Sequence, residues 1–120
     1  MKSTYILVSV VVGVTLFGVQ AFGNPFSNEA RYRIEYVGKA GKTLWGNYTI
    51  TPHDKSTGTT TERVIGQLPR SVEFTTKKNA IVSANGSITS QEPIAIEIYK
   101  NGVRCSNSKG TGVSDTIICR

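Results

Sequence analysis

Ile94-Ala95-Ile96-Glu97-Ile98-Tyr99-Lys100-Asn101-Gly102-Val103-Arg104-Cys105 is the stretch that decides the fold. Isoleucines at 94, 96 and 98 alternate with Ala95, Glu97 and Tyr99, the period of a strand with one buried face. Asn101-Gly102 follows, and both residues tolerate the positive φ of a type I′ turn, so the chain doubles back as a two-residue hairpin. This turn pairs Lys100 with Val103, Tyr99 with Arg104 and Ile98 with Cys105, which places Cys105 on the isoleucine face, toward a core. Tyr99 and Arg104 then share the outer face. They are candidates for a ligand platform, although such cross-strand pairs are also ordinary sheet stabilisers.

The same alternation extends outward in both directions. Strands are expected at residues 31–37, with Tyr32, Ile34 and Tyr36 on one face, and at 43–51, with Leu44, Tyr48 and Ile50 together. A Thr-rich segment at 59–65 reads as an edge strand, with Glu62 and Arg63 as charges that discourage self-pairing. Val72 and Phe74 face inward over 71–75, as do Ala80, Val82 and Ala84 over 80–87, where small residues let two sheets approach. A last strand at 116–120 puts Ile117 and Cys119 on one face. Gly, Asn, Pro and Ser break the chain about every 8 to 12 residues. The pattern predicts an all-β, immunoglobulin-like sandwich of seven or eight antiparallel strands over residues 31–120.

The N-terminal side is different in kind. Residues 6–22 are an almost unbroken apolar run, and Lys2 is the only charge before Glu29. A short polar start, an apolar centre and small residues near Ala21 and Gly23 read as a secretory signal over 1–23, with 24–30 as a linker. The uncharged stretch is also long enough for a retained membrane anchor, since ~20 apolar residues span a bilayer. Either reading places the domain outside the cytoplasm, secreted, periplasmic or anchored facing outward. Only the retained segment would tie it to a membrane.

Without residues 1–23 the chain keeps 13 basic and 8 acidic residues, a net charge of +5. The basic residues are scattered, with Lys77-Lys78 the longest run after the signal, and a nucleic-acid interface would cluster them around stacking aromatics. No nucleic-acid partner is expected. Cys105 and Cys119 form an even pair in an exported small domain and are expected to form a disulfide. Closing that ~15-residue loop adds on the order of 3 kcal/mol in the chain-entropy model. Two thiols and the lone His53 do not fill a four-ligand metal site, so no metal is expected.

Catalytic chemistry has little to build on. His53 lies beside Asp54 in a polar loop, but no nucleophile context such as G-x-S-x-G accompanies it. Carboxylates are sparse and sit mostly at outward strand positions, and no Gly-rich phosphate loop is present. The expectation is a protein that is not an enzyme and takes no cofactor. Trp45 is the more informative residue. On a regular strand it falls opposite Leu44, Tyr48 and Ile50, exposed as a binding anchor. If Gly46 marks a bulge, the register resets and Trp45 is buried; this is the preferred reading. Asn47-Tyr48-Thr49 and Asn85-Gly86-Ser87 match the glycosylation sequon, which matters only in a eukaryotic host.

The order of several segments resembles the mycobacterial membrane protein small (MmpS) family and its bacterial relatives. The matching pieces are Tyr36-Val37-Gly38-Lys39-Ala40-Gly41, Asn47-Tyr48-Thr49-Ile50, Leu68-Pro69, Val82-Ser83-Ala84, Ile96-Glu97-Ile98-Tyr99-Lys100-Asn101-Gly102-Val103 and Cys119. The resemblance covers roughly residues 31–120. It implies one N-terminal membrane segment followed by an extracytoplasmic β-sandwich that assists large exporters of lipids and siderophores. The expected function is therefore a non-catalytic accessory or binding module that engages an envelope protein or a lipid. The alternative is a freely secreted interaction protein, an inhibitor or effector, gripping its target through a sheet face or edge. Trp45, Tyr99 and Arg104 are the candidate binding residues in either case.

Overall fold

The computed structural model describes residues 28–53 and 58–120. They form the strands β1 (Glu29–Gly38), β2 (Thr43–Thr51), β3 (Thr60–Gln67), β4 (Arg70–Lys77), β5 (Ile81–Ile88), β6 (Pro93–Lys100), β7 (Val103–Thr111) and β8 (Val113–Cys119). Sheet I has the order β4-β1-β6-β7 and sheet II the order β3-β2-β5-β8. Every recorded strand pair is antiparallel. This is the eight-stranded sandwich that the alternation predicts. β1 starts at Glu29, two residues inside the expected linker, and Ala30 is already buried. Residues 1–23 lie outside the described residues. No helix among the described residues is long and apolar enough to cross a membrane.

Alternation fills the space between the sheets. Tyr32, Ile34 and Tyr36 of β1 and Ile94, Ile96 and Ile98 of β6 are buried from sheet I. Leu44 of β2, Val82, Ala84 and Ile88 of β5, and Ile117 and Cys119 of β8 are buried from sheet II. Phe74 of β4 lies between Tyr32 and Tyr48, with ring centroids 5.5 and 5.0 Å away and the planes nearly parallel, which ties the β3–β4 side of the core together.

Gly46 corrects the preferred reading of Trp45. The register of β2 runs unbroken against both neighbours, so Gly46 marks no bulge. It pairs with Gly86, and together they leave room for the Tyr36 ring descending from sheet I. A Cβ on Gly46 would stand 3.1 Å from that ring and 2.9 Å from the Asn85 carbonyl oxygen. The Tyr36 hydroxyl crosses the core and donates to the Asn47 carbonyl at 3.2 Å. Glycine here serves a close approach rather than a change of register, and Trp45 keeps its outward position.

Cys105 is displaced from its expected partner. The turn forms as expected, with Asn101 and Gly102 at φ 52° and 82°, and Tyr99 pairs with Arg104. Beyond that pair the register slips, and Ile98 faces Ser106. Cys105 is therefore the extra residue of a bulge and is exposed, not on the isoleucine face. The disulfide with Cys119 does form, with Cα atoms 5.6 Å apart. Because β7 belongs to sheet I and β8 to sheet II, it joins the two sheets at one lateral side rather than neighbouring strands of one sheet.

Candidate binding face

The two outer faces of the sandwich differ in chemistry. On sheet I, register places Glu35 opposite Glu97 and Arg33 opposite Tyr99. Two carboxylates at adjacent cross-strand positions repel unless compensated. Arg33 Nε lies 2.8 Å from the Glu35 carboxylate and its guanidinium stands 4.3 Å over the Tyr99 ring. The Tyr99 hydroxyl donates to Glu97 at 2.8 Å, Arg104 reaches the same carboxylate at 3.5 Å, and Ser71 donates to Glu35 at 3.0 Å. The hydrogen bond to Glu97 holds the Tyr99 hydroxyl in its neutral form, above the usual phenol range. Tyr99 and Arg104 are thus brought together as expected, inside a network whose charges answer one another.

Sheet II presents hydroxyls, amides and one indole. Across its outer face, Ile65, Trp45, Ser87 and Val113 form one rung. Arg63, Asn47 and Asn85 form the next, and Thr61, Thr49, Ser83 and Ile118 a third. The two sequon asparagines, Asn47 and Asn85, are therefore direct register partners. Trp45 is 51% exposed, with Ile65 at 41% and Val113 at 55% on either side. β8 bulges opposite Asn85, because Gly86 pairs with Ser114 and Ala84 with Ile117, so that two residues, Asp115 and Thr116, stand against one. A shallow cleft of about 280 Å³ lies between Trp45, Asn85, Ser87 and that bulge. A second, of about 160 Å³, lies on the other flank of Trp45 against Asn47, Arg63 and Ile65. Trp45 is a ridge between two shallow clefts of mixed polarity.

The three candidate residues do not converge. Trp45 stands on the outer face of sheet II, whereas Tyr99 and Arg104 stand on that of sheet I, across the full thickness of the sandwich. His53 is exposed in a bend after β2, and Asp54 lies outside the described residues. No group of three or more His, Cys, Asp or Glu is placed to hold a metal ion among the described residues.

A further feature has no signal in local sequence. β3 and β4 are consecutive, yet they edge different sheets, so their free edges run side by side, opposite the disulfide. The groove between them has a volume of about 470 Å³ and is lined by Tyr48, Val64 and Val72, with Glu62, Arg63 and Arg70 exposed around it. Burial, followed by the nearby Glu62 carboxylate, pushes the Tyr48 hydroxyl above its ordinary range. No family model and no curated protein matches the chain.

Proposed function

We propose that this chain is a non-catalytic binding module of the extracytoplasmic space that engages an envelope component through the outer face of sheet II. The resemblance to the MmpS family gives this role its form, an accessory to a larger envelope assembly such as a transporter. One observation carries the reading: a half-exposed tryptophan held on a regular inner strand, on a face whose polar groups form no ion pairs among the described residues. Large aromatics at the centre of a surface patch are the residues most enriched in binding hot spots. Replacing Trp45 with Ala should weaken sedimentation with envelope material by about 2 kcal/mol or more. The melting temperature should barely change, because the side chain is half in water in the free protein. Unchanged binding, or a lower melting temperature with binding per folded molecule intact, would count against the face.

The groove between β3 and β4 favours a second reading, a freely secreted inhibitor or effector. An extended segment of a target protein can add to an unpaired edge and lay alternate side chains over Tyr48 and Val72. Arg63 and Arg70 suit a segment carrying acidic side chains. Arg70→Glu should then abolish binding while Trp45→Ala leaves it intact. Mass spectrometry of the native N-terminus separates the two readings further, since a retained segment fits the anchored accessory and a cleaved one the released protein.

A further inference from the structure

Resting on the reading of sheet II as the binding face, we infer that its ligand is an uncharged glycan chain laid across the strands over Trp45. The three rungs around Trp45, together with the bulge, carry two ionisable groups, Arg63 and Asp115, one in each cleft. Everything else there is indole, amide, hydroxyl or an isolated aliphatic side chain. That composition matches a ligand that is itself uncharged, flat and covered with hydroxyls. An indole face is apolar with a negative quadrupole, and it takes the weakly positive C–H face of a pyranose ring. Asn47 on one flank and Asn85 on the other supply amide donors and acceptors, and Asp115 supplies a carboxylate acceptor, for the hydroxyls of the neighbouring sugar units.

The geometry suits a chain more than a single sugar. Both clefts open from Trp45, one toward β3 and the other toward β8, so the path crosses the strands rather than following one. Adjacent strands lie ~4.8 Å apart, close to the length of one sugar unit, so each strand can meet one unit of a linear chain. Other ligand classes fit less well. An anchoring membrane would want a cluster of Lys and Arg beside the apolar residues. Among the described residues paired across these rungs, the only such charge is Arg63. A protein hot spot is ringed by residues that exclude water, whereas Trp45 is flanked by open clefts lined by Asn47 and Arg63 on one side and Asn85 and Asp115 on the other.

Trp45 is the only tryptophan in the chain, so its fluorescence reports this face directly. The protein, made in bacteria so that Asn47 and Asn85 stay unmodified, is titrated with linear hexasaccharides of glucose, N-acetylglucosamine and mannose. In parallel, it is sedimented with envelope material from the organism that makes it, treated beforehand with periodate or with a protease. The expected result is a saturable shift of emission to shorter wavelength with at least one hexasaccharide. Asn85→Ala and Asp115→Ala should each weaken that affinity at least fivefold at unchanged melting temperature. Sedimentation should survive protease. It should be lost after periodate where the shifting hexasaccharide is 1,4-linked glucose or mannose, which keep a vicinal diol, and be competed away by free hexasaccharide where it is N-acetylglucosamine, whose linked units have none. Trp45-dependent sedimentation that survives periodate and is lost to protease overturns the glycan while leaving the binding face standing. Absence of any hexasaccharide shift, together with periodate-resistant sedimentation, also overturns the glycan. Sedimentation that is undiminished in Trp45→Ala overturns the binding face itself.

Discussion

Trp45 and Gly46 are neighbours in the chain with opposite duties, and the contrast lies in what each side of β2 meets. Trp45 points to water beside Ile65, while Gly46 points into the core beneath Tyr36. Adding a methyl group at Gly46 forces either the Tyr36 ring or the Asn85 backbone to move, because the nearest atoms would stand at 3.1 and 2.9 Å. Overpacking of this kind costs typically 1 to 3 kcal/mol, so Gly46→Ala should lower the unfolding free energy by about that much, read as a lower urea midpoint. An unchanged midpoint would show that the ring can slide aside at no cost. The side of the strand on which Trp45 stands was legible in the two-residue period alone. A glycine inside a strand argued for a bulge, and only the ring arriving from the other sheet explains why none forms. That contact joins residues 36 and 46 across the core, and no local pattern records it.

Among the elements, the inward faces of β1, β2, β5 and β6 follow directly from alternation, and the Asn101-Gly102 turn follows from its φ requirement. Three features escaped. The bulge at Cys105 arises where β7 leaves the register set by the turn. The opposition of Glu35 and Glu97 depends on β1 pairing with β6 across some sixty residues of chain. The groove between β3 and β4 depends on consecutive strands belonging to different sheets. All three are products of non-local pairing. The edges carry their own expectation. Glu62 and Arg63 sit on the exposed β3, where charge discourages strand-to-strand association. Replacing both with Val should move the protein to dimers or larger species in size-exclusion chromatography, while a lasting monomer peak would assign protection to another feature. On the opposite side, Cys105→Ser with Cys119→Ala removes the tie between β7 and β8. Unfolding free energy should fall by about 3 kcal/mol, the cost of leaving a ~15-residue loop open in the unfolded chain. A fall well under 1 kcal/mol would mean that packing of β8 on β5 already holds the strand.

At the scale of the whole molecule, Tyr32, Tyr36 and Tyr48 come from β1 and β2, one in each sheet, and meet around the same core. Burial raises the hydroxyl of each above its ordinary value near 10, with Tyr48 adding to the shift of Tyr36 and Glu62 to that of Tyr48. The sign follows from linkage. The native state holds these protons more tightly than the unfolded chain, so their contribution to stability is complete below pH about 10, where both states are protonated. It is lost as pH climbs from the unfolded value through the folded ones, because the unfolded chain gives up its protons first. Stability should therefore be insensitive to these tyrosines between pH 7 and 9 and fall progressively above pH about 10. Tyrosinate absorbance should lag behind that of free tyrosine and rise together with the loss of β-sheet circular dichroism, because the buried rings ionise when the sandwich opens. Tyr36, the most strongly shifted, also donates across the core to Asn47. Tyr36→Phe should thus lower stability at neutral pH through that lost bond and yet flatten the decline above pH about 10. Tyrosines that all ionise near pH 10 while the dichroism stays native would mean that water reaches these hydroxyls in the folded protein, and that the two sheets are not closed over them.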